Sequence, residues 1–477
     1  MTVRVGDAAK APKFESAAKR LLLDTQLRHN VRHATDVIRK KRGRAVDIPD
    51  WQPLRESARR IKEHTMRHLD IYLQQFEEAC TRAGGKVHWA RDADEASRIV
   101  VDIVRSHNAT EAIKVKTMTS DEIRLNEAFE AAGIRPYETD LAELIVQLGG
   151  DEPSHIVAPA LHRNRMEVRE IFLKKMGLNE LGDTPEALTE AARVYLRERF
   201  LRVEVGVSGA NFAVADTGAV CVVESEGNGR MCVSLPRVLI SLIGIEKIIP
   251  RFSDLEVFLQ VLPRSATGEP MNPYNSIWTG VHPGDGPEEF HAVLIDNGRT
   301  TVLADTEARE TLHCIRCGAC LNICPVYRQT GGHAYGSTYS GPIGAILTPQ
   351  LQSMEHSQSL PYASSLCGAC YEVCPVKINI PEILIHLRGK IVANGESPWS
   401  ERLGMKAAGL ALSDGGRLAF AERFARFMQR FYERDGQLRN LPGVLKGWSE
   451  YRDMPALPKE SFREWWAKRE KRKARRS

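Results

Sequence analysis

Cys314, Cys317, Cys320 and Cys324 fall within HCIRCGACLNICP at the spacing C-x2-C-x2-C-x3-C-P. Each iron of a cubane iron-sulfur cluster takes a thiolate. Two residues between thiols let three of them reach three corners of one cube, and the fourth cysteine of such a run serves a second cluster. The second run follows as LCGACYEVCPV, with Cys367, Cys370 and Cys374. Crossed pairing assigns Cys314, Cys317, Cys320 and Cys374 to cluster 1, and Cys324, Cys367 and Cys370 to cluster 2. Aligning the two runs sets Ser364 where the first has Cys314, so cluster 2 is one thiolate short. Its fourth iron is then either absent, as in a [3Fe-4S] form reached on oxidation, or held by another ligand. Ser364 is the nearest side chain for that corner, but oxygen is a poor ligand for iron in a thiolate cube, and water is the alternative.

Other chemistries fit these residues less well. Zinc takes four ligands, usually from two C-x2-C pairs, whereas two ferredoxin-like runs each ending in Cys-Pro supply seven thiols. A disulfide framework belongs to an oxidising compartment, and the opening MTVRVGDAAKAPKF lacks the apolar core of a signal peptide. Gly318 and Gly368 fall between cysteines, where a bare backbone can approach sulfide. The other three of the ten cysteines, Cys80, Cys221 and Cys232, read as small buried hydrophobes.

The elements that must position these runs emerge from periodicity. With 477 residues the chain exceeds one hydrophobic core, and four parts are expected: a helical region 1–84, an α/β domain 85–304, a two-cluster domain 305–390 and a helical region 391–477. Residues 15–80 carry helical periodicity, and the basic cluster Arg39–Arg44 reads as a solvated helix end. From residue 85, short apolar runs alternate with helical stretches. Strands are expected at Lys86–Ala90, Glu111–Thr117, Ile134–Tyr137, His155–Ala158 and Phe290–Ile295, with helices between, one starting at an N-cap Ser120. That alternation implies βαβ units and a mostly parallel sheet. A strand pair spans Ala213–Glu224, with a further turn at Glu226–Gly229 and a long Gly/Pro-rich loop over 262–288. The glycines of residues 331–344 read as close backbone packing beside a cluster.

Several other readings narrow the function. The net charge of +5 does not by itself argue for nucleic acid. No apolar run approaches the ~20 residues of a membrane span, so a cytoplasmic chain is expected, with the basic, Trp-containing C-terminus compatible with peripheral contact to lipid headgroups. There is no G-x-G-x-x-G and no G-K-[ST], so a nucleotide cofactor is expected on another protein. Glu224 and Glu226 beside Gly227-Asn228-Gly229 could furnish a carboxylate nucleophile, with a solvated hairpin turn as the plainer account. Lys114, Lys116 and His155, near predicted strand ends, are candidates for holding a small carboxylate, beside ordinary surface or cap roles.

The segment GANFAVADTGAV, the 314–324 run, SSLCGAC at 364–370 and NIPEILIHLRGKI together resemble the lactate-utilization iron-sulfur protein family over nearly the whole chain. The resemblance implies a lactate-utilization (LUD) domain of the sugar-isomerase and CoA-transferase α/β class, followed by an all-α helical ferredoxin-type domain. It further implies two [4Fe-4S] clusters, the seven-cysteine pattern as the family's own, and L-lactate oxidation to pyruvate with two partners, a cysteine-rich subunit and a second LUD-domain protein. On this reading the chain is an electron-transfer subunit, non-catalytic or co-catalytic in an oxidoreductase. The alternatives are a LUD-domain enzyme with acyl or isomerase chemistry on a carboxylate nucleophile, its clusters structural, and a redox-sensing binding module.

Overall fold

The computed structural model describes residues 12–395, 399–449 and 452–475, which form two compact units, Met1–Lys390 and Ile391–Ser477. The N-terminal stretch read for a signal peptide lies outside the described residues up to position 11, as does Arg476 of the basic tail.

Among the described residues the first unit carries ten strands: β1 (Lys86–Ala90), β2 (Glu111–Lys114), β3 (Arg135–Glu138), β4 (Val205–Gly209), β5 (Phe212–Val214), β6 (Ala219–Glu224), β7 (Val238–Gly244), β8 (Ile248–Ile249), β9 (Tyr274–Trp278) and β10 (Glu289–Ile295). Six of them form a sheet in the order β1-β10-β7-β4-β2-β3, each neighbouring pair parallel. VLISLIG of β7 is buried at every position, as a central parallel strand covered on both faces must be. The helix Ala93–Ser106 covers one face with Ala96, Val100 and Val104, and its N-cap Asp92 accepts from the Glu95 amide at 2.9 Å. A smaller sheet, β8-β5-β6-β9, joins the hairpin β5–β6 to β8 in parallel and to β9 antiparallel.

Several local expectations yield to tertiary contacts. The strand expected over Glu111–Thr117 ends at Lys114, with one more backbone bond from Val115 to Val207. The helix expected from Ser120 runs over Met118–Glu122, and Thr117 caps it, accepting from the Thr119 amide. His155–Ala158 is no strand, because the His155 ring takes the backbone amides of Val157 and Ala158 that a sheet neighbour would need. The 262–288 loop contains β9, which lies along β6. The glycines after the first run serve close packing, but against protein: a Cβ on Gly332 would meet the Ser154 carbonyl at 2.0 Å, and one on Gly344 the Tyr339 carbonyl at 1.9 Å.

Beyond the sheets, the first unit is completed by short helices and 3-10 turns between Arg309 and Val373, and by the start of the helix Ile380–Ala393. The N-terminal helices Phe14–Leu21, Thr25–Ala45 and Trp51–Arg67 contribute Phe14, Leu27, Val31 and Trp51 to one core with Cys317, Cys320, Cys374 and Ile383. The second unit is helical over Trp399–Leu412, Gly415–Gln429 and Phe462–Ala474, the last opened by a Ser461–Glu464 capping box, with a patch of three two-residue strands. No helix among the described residues is long and apolar enough to cross a membrane.

A buried charge network ties sheet, N-terminal helices and cysteine run together. Arg299, just after β10, pairs with Glu122 at 2.8 Å and with Glu246, just after β7. Glu246 also accepts from Arg316 at 3.3 Å, and its backbone carbonyl accepts from Lys62. Burial opposes ionisation of Glu246, yet Arg299, Arg316 and Lys247 outweigh it and hold its pKa down to about 2. Replacing Glu246 by Gln strips the carboxylate from buried Arg316 and leaves Arg299 with Glu122 alone, and should cost ~3–5 kcal/mol. A denaturant titration of the anaerobic protein checks this, and an unchanged midpoint would show that the network is dispensable.

Candidate metal centre

The two cysteine runs fold as copies. Arg316 and Leu366, each two residues past the first position of its run, both take positive φ, at 60° and 54°. Gly318 (φ 73°) and Gly368 (φ 81°) then open the five-residue helices Ala319–Ile323 and Ala369–Val373, which pack against each other. The copies extend to the odd position. The Arg316 amide donates to Cys314 Sγ at 3.4 Å, and the Leu366 amide donates to Ser364 Oγ at 3.1 Å. Ser364 thus presents its oxygen where the first run presents a sulfur.

Between the copies the thiols gather in two groups. Cys314, Cys317, Cys320 and Cys374 line one small cavity of about 20 Å³, together with Ile343, Ile378 and Ile380. Burial pushes Cys374 up to about 11 and Cys317 and Cys320 higher still, and within this group neighbouring thiolates add to the rise. Burial likewise pushes Cys370 up to about 12, with Cys324 and Cys367 as its charged neighbours, while Cys324 rises by burial and by Cys367. Cys320 also feels Cys370, so the two groups adjoin. Cys367 is exposed, whereas in the first group Cys317, Cys320 and Cys374 are buried and Cys314 is half-buried.

Thiols crowded in a dry pocket cannot all ionise unless a cation replaces their protons, so this donor set suits a thiolate-bound metal cluster. Backbone amides aim at the sulfurs, including that of Ile378 at Cys374 Sγ, 3.4 Å away. Positive charge comes from the N-terminal helices, which sequence periodicity did not connect to this site. Arg55 donates to the Cys374 carbonyl at 2.7 and 3.0 Å and to that of Tyr371 at 3.3 Å. Arg42, read from sequence as part of a solvated helix end, donates to the Val373 carbonyl at 3.0 Å. Only the basic character of these helices hinted at such a role.

The remaining candidates separate by their partners. Lys114 is buried and bonded to Asn126 and Glu138, a structural ion pair. His155 accepts two backbone amides at Nδ1, which puts its proton on Nε2, bonded to Asn322 of the cysteine-run helix at 3.0 Å. Burial holds its pKa down to about 4, so it is a neutral brace. Glu224 accepts the amides of Glu226, Gly227 and Arg230 at 2.8, 2.6 and 3.3 Å, capping the helix Asn228–Ser234 that stands where the sequence suggested a turn. Glu226 accepts from the Leu141 amide at 3.0 Å. Cys80, Cys221 and Cys232 are buried, and Cys232 lies 3.3 Å from the Thr139 hydroxyl.

Comparison with known proteins covers the chain from end to end. Family models match in succession a LUD domain (residues 73–295), a 4Fe-4S dicluster domain (310–378) and a lactate utilisation protein B C-terminal segment (386–471). A lactate utilization protein B from Bacillus licheniformis is 42% identical over 99% of this chain and 99% of its own. That of Bacillus velezensis is 43% identical with the same coverage, and that of Bacillus subtilis 42% identical over 98% of each chain.

The Arg55 clamp gives a direct test of how the second run is held. Arg55→Leu leaves the buried Cys374 carbonyl and the partly buried Tyr371 carbonyl without a charged donor, a loss of about 1.5–3 kcal/mol. Iron release to a chelator from the anaerobic protein should quicken at least ~10-fold, with Arg55→Lys intermediate. Release at the unaltered rate in Arg55→Leu would show that the helix does not secure the run.

Proposed function

The chain belongs to the lactate utilization protein B family, and on that footing we propose that it is the iron-sulfur electron-transfer subunit of a cytoplasmic system that oxidises L-lactate to pyruvate. In this proposal Cys314, Cys317, Cys320 and Cys374 hold one [4Fe-4S] cluster, and Cys324, Cys367 and Cys370 hold three corners of another, prone to a [3Fe-4S] form on oxidation. Such clusters supply one-electron carriers. The protein's own contribution is to bury the thiols, aim amides at sulfur and hold Arg42 and Arg55 nearby. The observation that carries the reading is the adjoining of two thiol groups, one deep and one reaching the surface at Cys367, which suits passage of an electron between the interior and a partner.

The division of labour proposed for the chain is that of the four parts read from sequence: 1–84 braces the runs, 85–304 is the LUD domain, 305–390 carries the clusters and 391–477 meets partners. Those partners, in this proposal, are a cysteine-rich subunit and a second LUD-domain protein. Removing hydride equivalents from a C–H bond normally needs a flavin or comparable centre, for which the sequence holds no nucleotide motif. Glu224 and Glu226, the residues an acyl-transfer reading would use, are bonded to backbone amides.

Anaerobic preparation should yield iron and sulfide for two clusters per chain, and a single cluster or stoichiometric zinc overturns the assignment. Ser364→Cys should slow oxidative iron loss and change the EPR spectrum of the oxidised protein, since Ser364 already stands where Cys314 stands in the other run. An unchanged spectrum and unchanged oxygen sensitivity would remove Ser364 from the site. The isolated chain, with clusters intact, should not oxidise L-lactate with an artificial acceptor. Turnover matching the full assembly would make the LUD domain the catalytic centre instead.

A further inference from the structure

A second cavity, of about 250 Å³, opens in the LUD domain next to the first thiol group, and Cys317 is part of its wall. It lies where the chain leaves the carboxyl ends of β2 and β4, at Val115–Thr119 and Gly209–Asn211, the position at which open parallel sheets hold ligands. Lys116, Lys247 and Arg316 reach it from three separate segments. The protein meets their charge only in part. Lys116 Nζ is buried without a hydrogen-bond partner, 3.8 Å from a Glu143 oxygen that also lacks one. Arg316 is 8% exposed and its Nη1 has no partner, its other terminal nitrogen reaching Glu246 at 3.3 Å. Lys247 is also 8% exposed and forms no ion pair among the described residues.

The carboxylates in the same wall are committed elsewhere. Asp140 caps the helix Leu141–Gly149, accepting from Ala142 and Glu143, while Glu224 and Glu226 take the backbone amides described above. Buried cationic donors with hydrogen-bonding capacity to spare, beside acids already occupied, make a cavity selective for a negative ligand. Its volume lies below the roughly 300–1,000 Å³ of sites for drug-sized molecules, so the ligand is small. We propose that this cavity binds a small organic carboxylate, its acid group held by Lys116, Lys247 and Arg316 beside the first cysteine group. This inference stands on the cavity's residues and does not depend on the electron-transfer reading.

Calorimetric titration of the anaerobic, cluster-loaded protein with pyruvate, L-lactate and inorganic phosphate tests it. At least one of the two acids should bind saturably, and phosphate at least ~10-fold more weakly. Lys116→Met and Lys247→Met should each weaken the acid about 10-fold or more, as for loss of one charge-assisted hydrogen bond. Lys116→Arg and Lys247→Arg keep the charge, should retain binding, and serve where a Met variant fails to fold. No saturation by either acid, phosphate binding as tightly, or undiminished binding in both Met variants overturns the assignment. Reduction of the clusters by dithionite in the same samples reports on electron-transfer competence separately.

Discussion

The constraint on which the rest depends is the burial of Glu246 among cations. A carboxylate sealed from water must find compensating charge, and here it is met by Arg299 from beyond β10, Arg316 from the first cysteine run and Lys62 from an N-terminal helix, the last through its carbonyl. None of these groups can withdraw without leaving another uncompensated. The network therefore fixes how the cysteine run sits against the carboxyl ends of the sheet. It also leaves Arg316 facing two ways, toward Glu246 and into the cavity of the LUD domain.

Local patterns made part of this legible from sequence. The cysteine spacing, the run ends at Pro325 and Pro375 and the strand of Lys86–Ala90 are set by neighbours a few residues away, and they appear in the structure as read. The parallel sheet followed from alternation alone. What stayed hidden depends on partners far along the chain. Arg55 reaches Cys374 across 319 residues, and nothing in a helical repeat distinguishes it from a solvated arginine. His155 sits in an apolar stretch that reads as strand until its ring is seen taking the backbone amides itself. Glu224 was visible as an acidic residue beside a glycine turn, but its use as a helix cap depends on the chain folding back through Arg230.

The paired runs show how a repeat can persist in conformation after its chemistry has diverged. Ser364 keeps the position, the left-handed residue two places on and the amide contact of its counterpart Cys314, so the backbone of the second run does not need the missing thiol. The loop is thus shaped by its glycine, its short helix and the packing of the two helices, and the metal chemistry is overlaid on that frame.

The span between Arg55 and Cys374 bears on how the protein is made. The helices holding Arg42 and Arg55 leave the ribosome early, yet the carbonyls of Val373 and Cys374 that their guanidinium groups grip emerge some 319 residues later. At roughly 5–20 residues per second that delay is on the order of tens of seconds. For this interval the nascent N-terminus carries cations destined for burial with nothing to bury them. The Arg55 brace closes only after every cysteine of both runs has been translated, so the cofactor-bearing segment is complete before that helix is locked onto it.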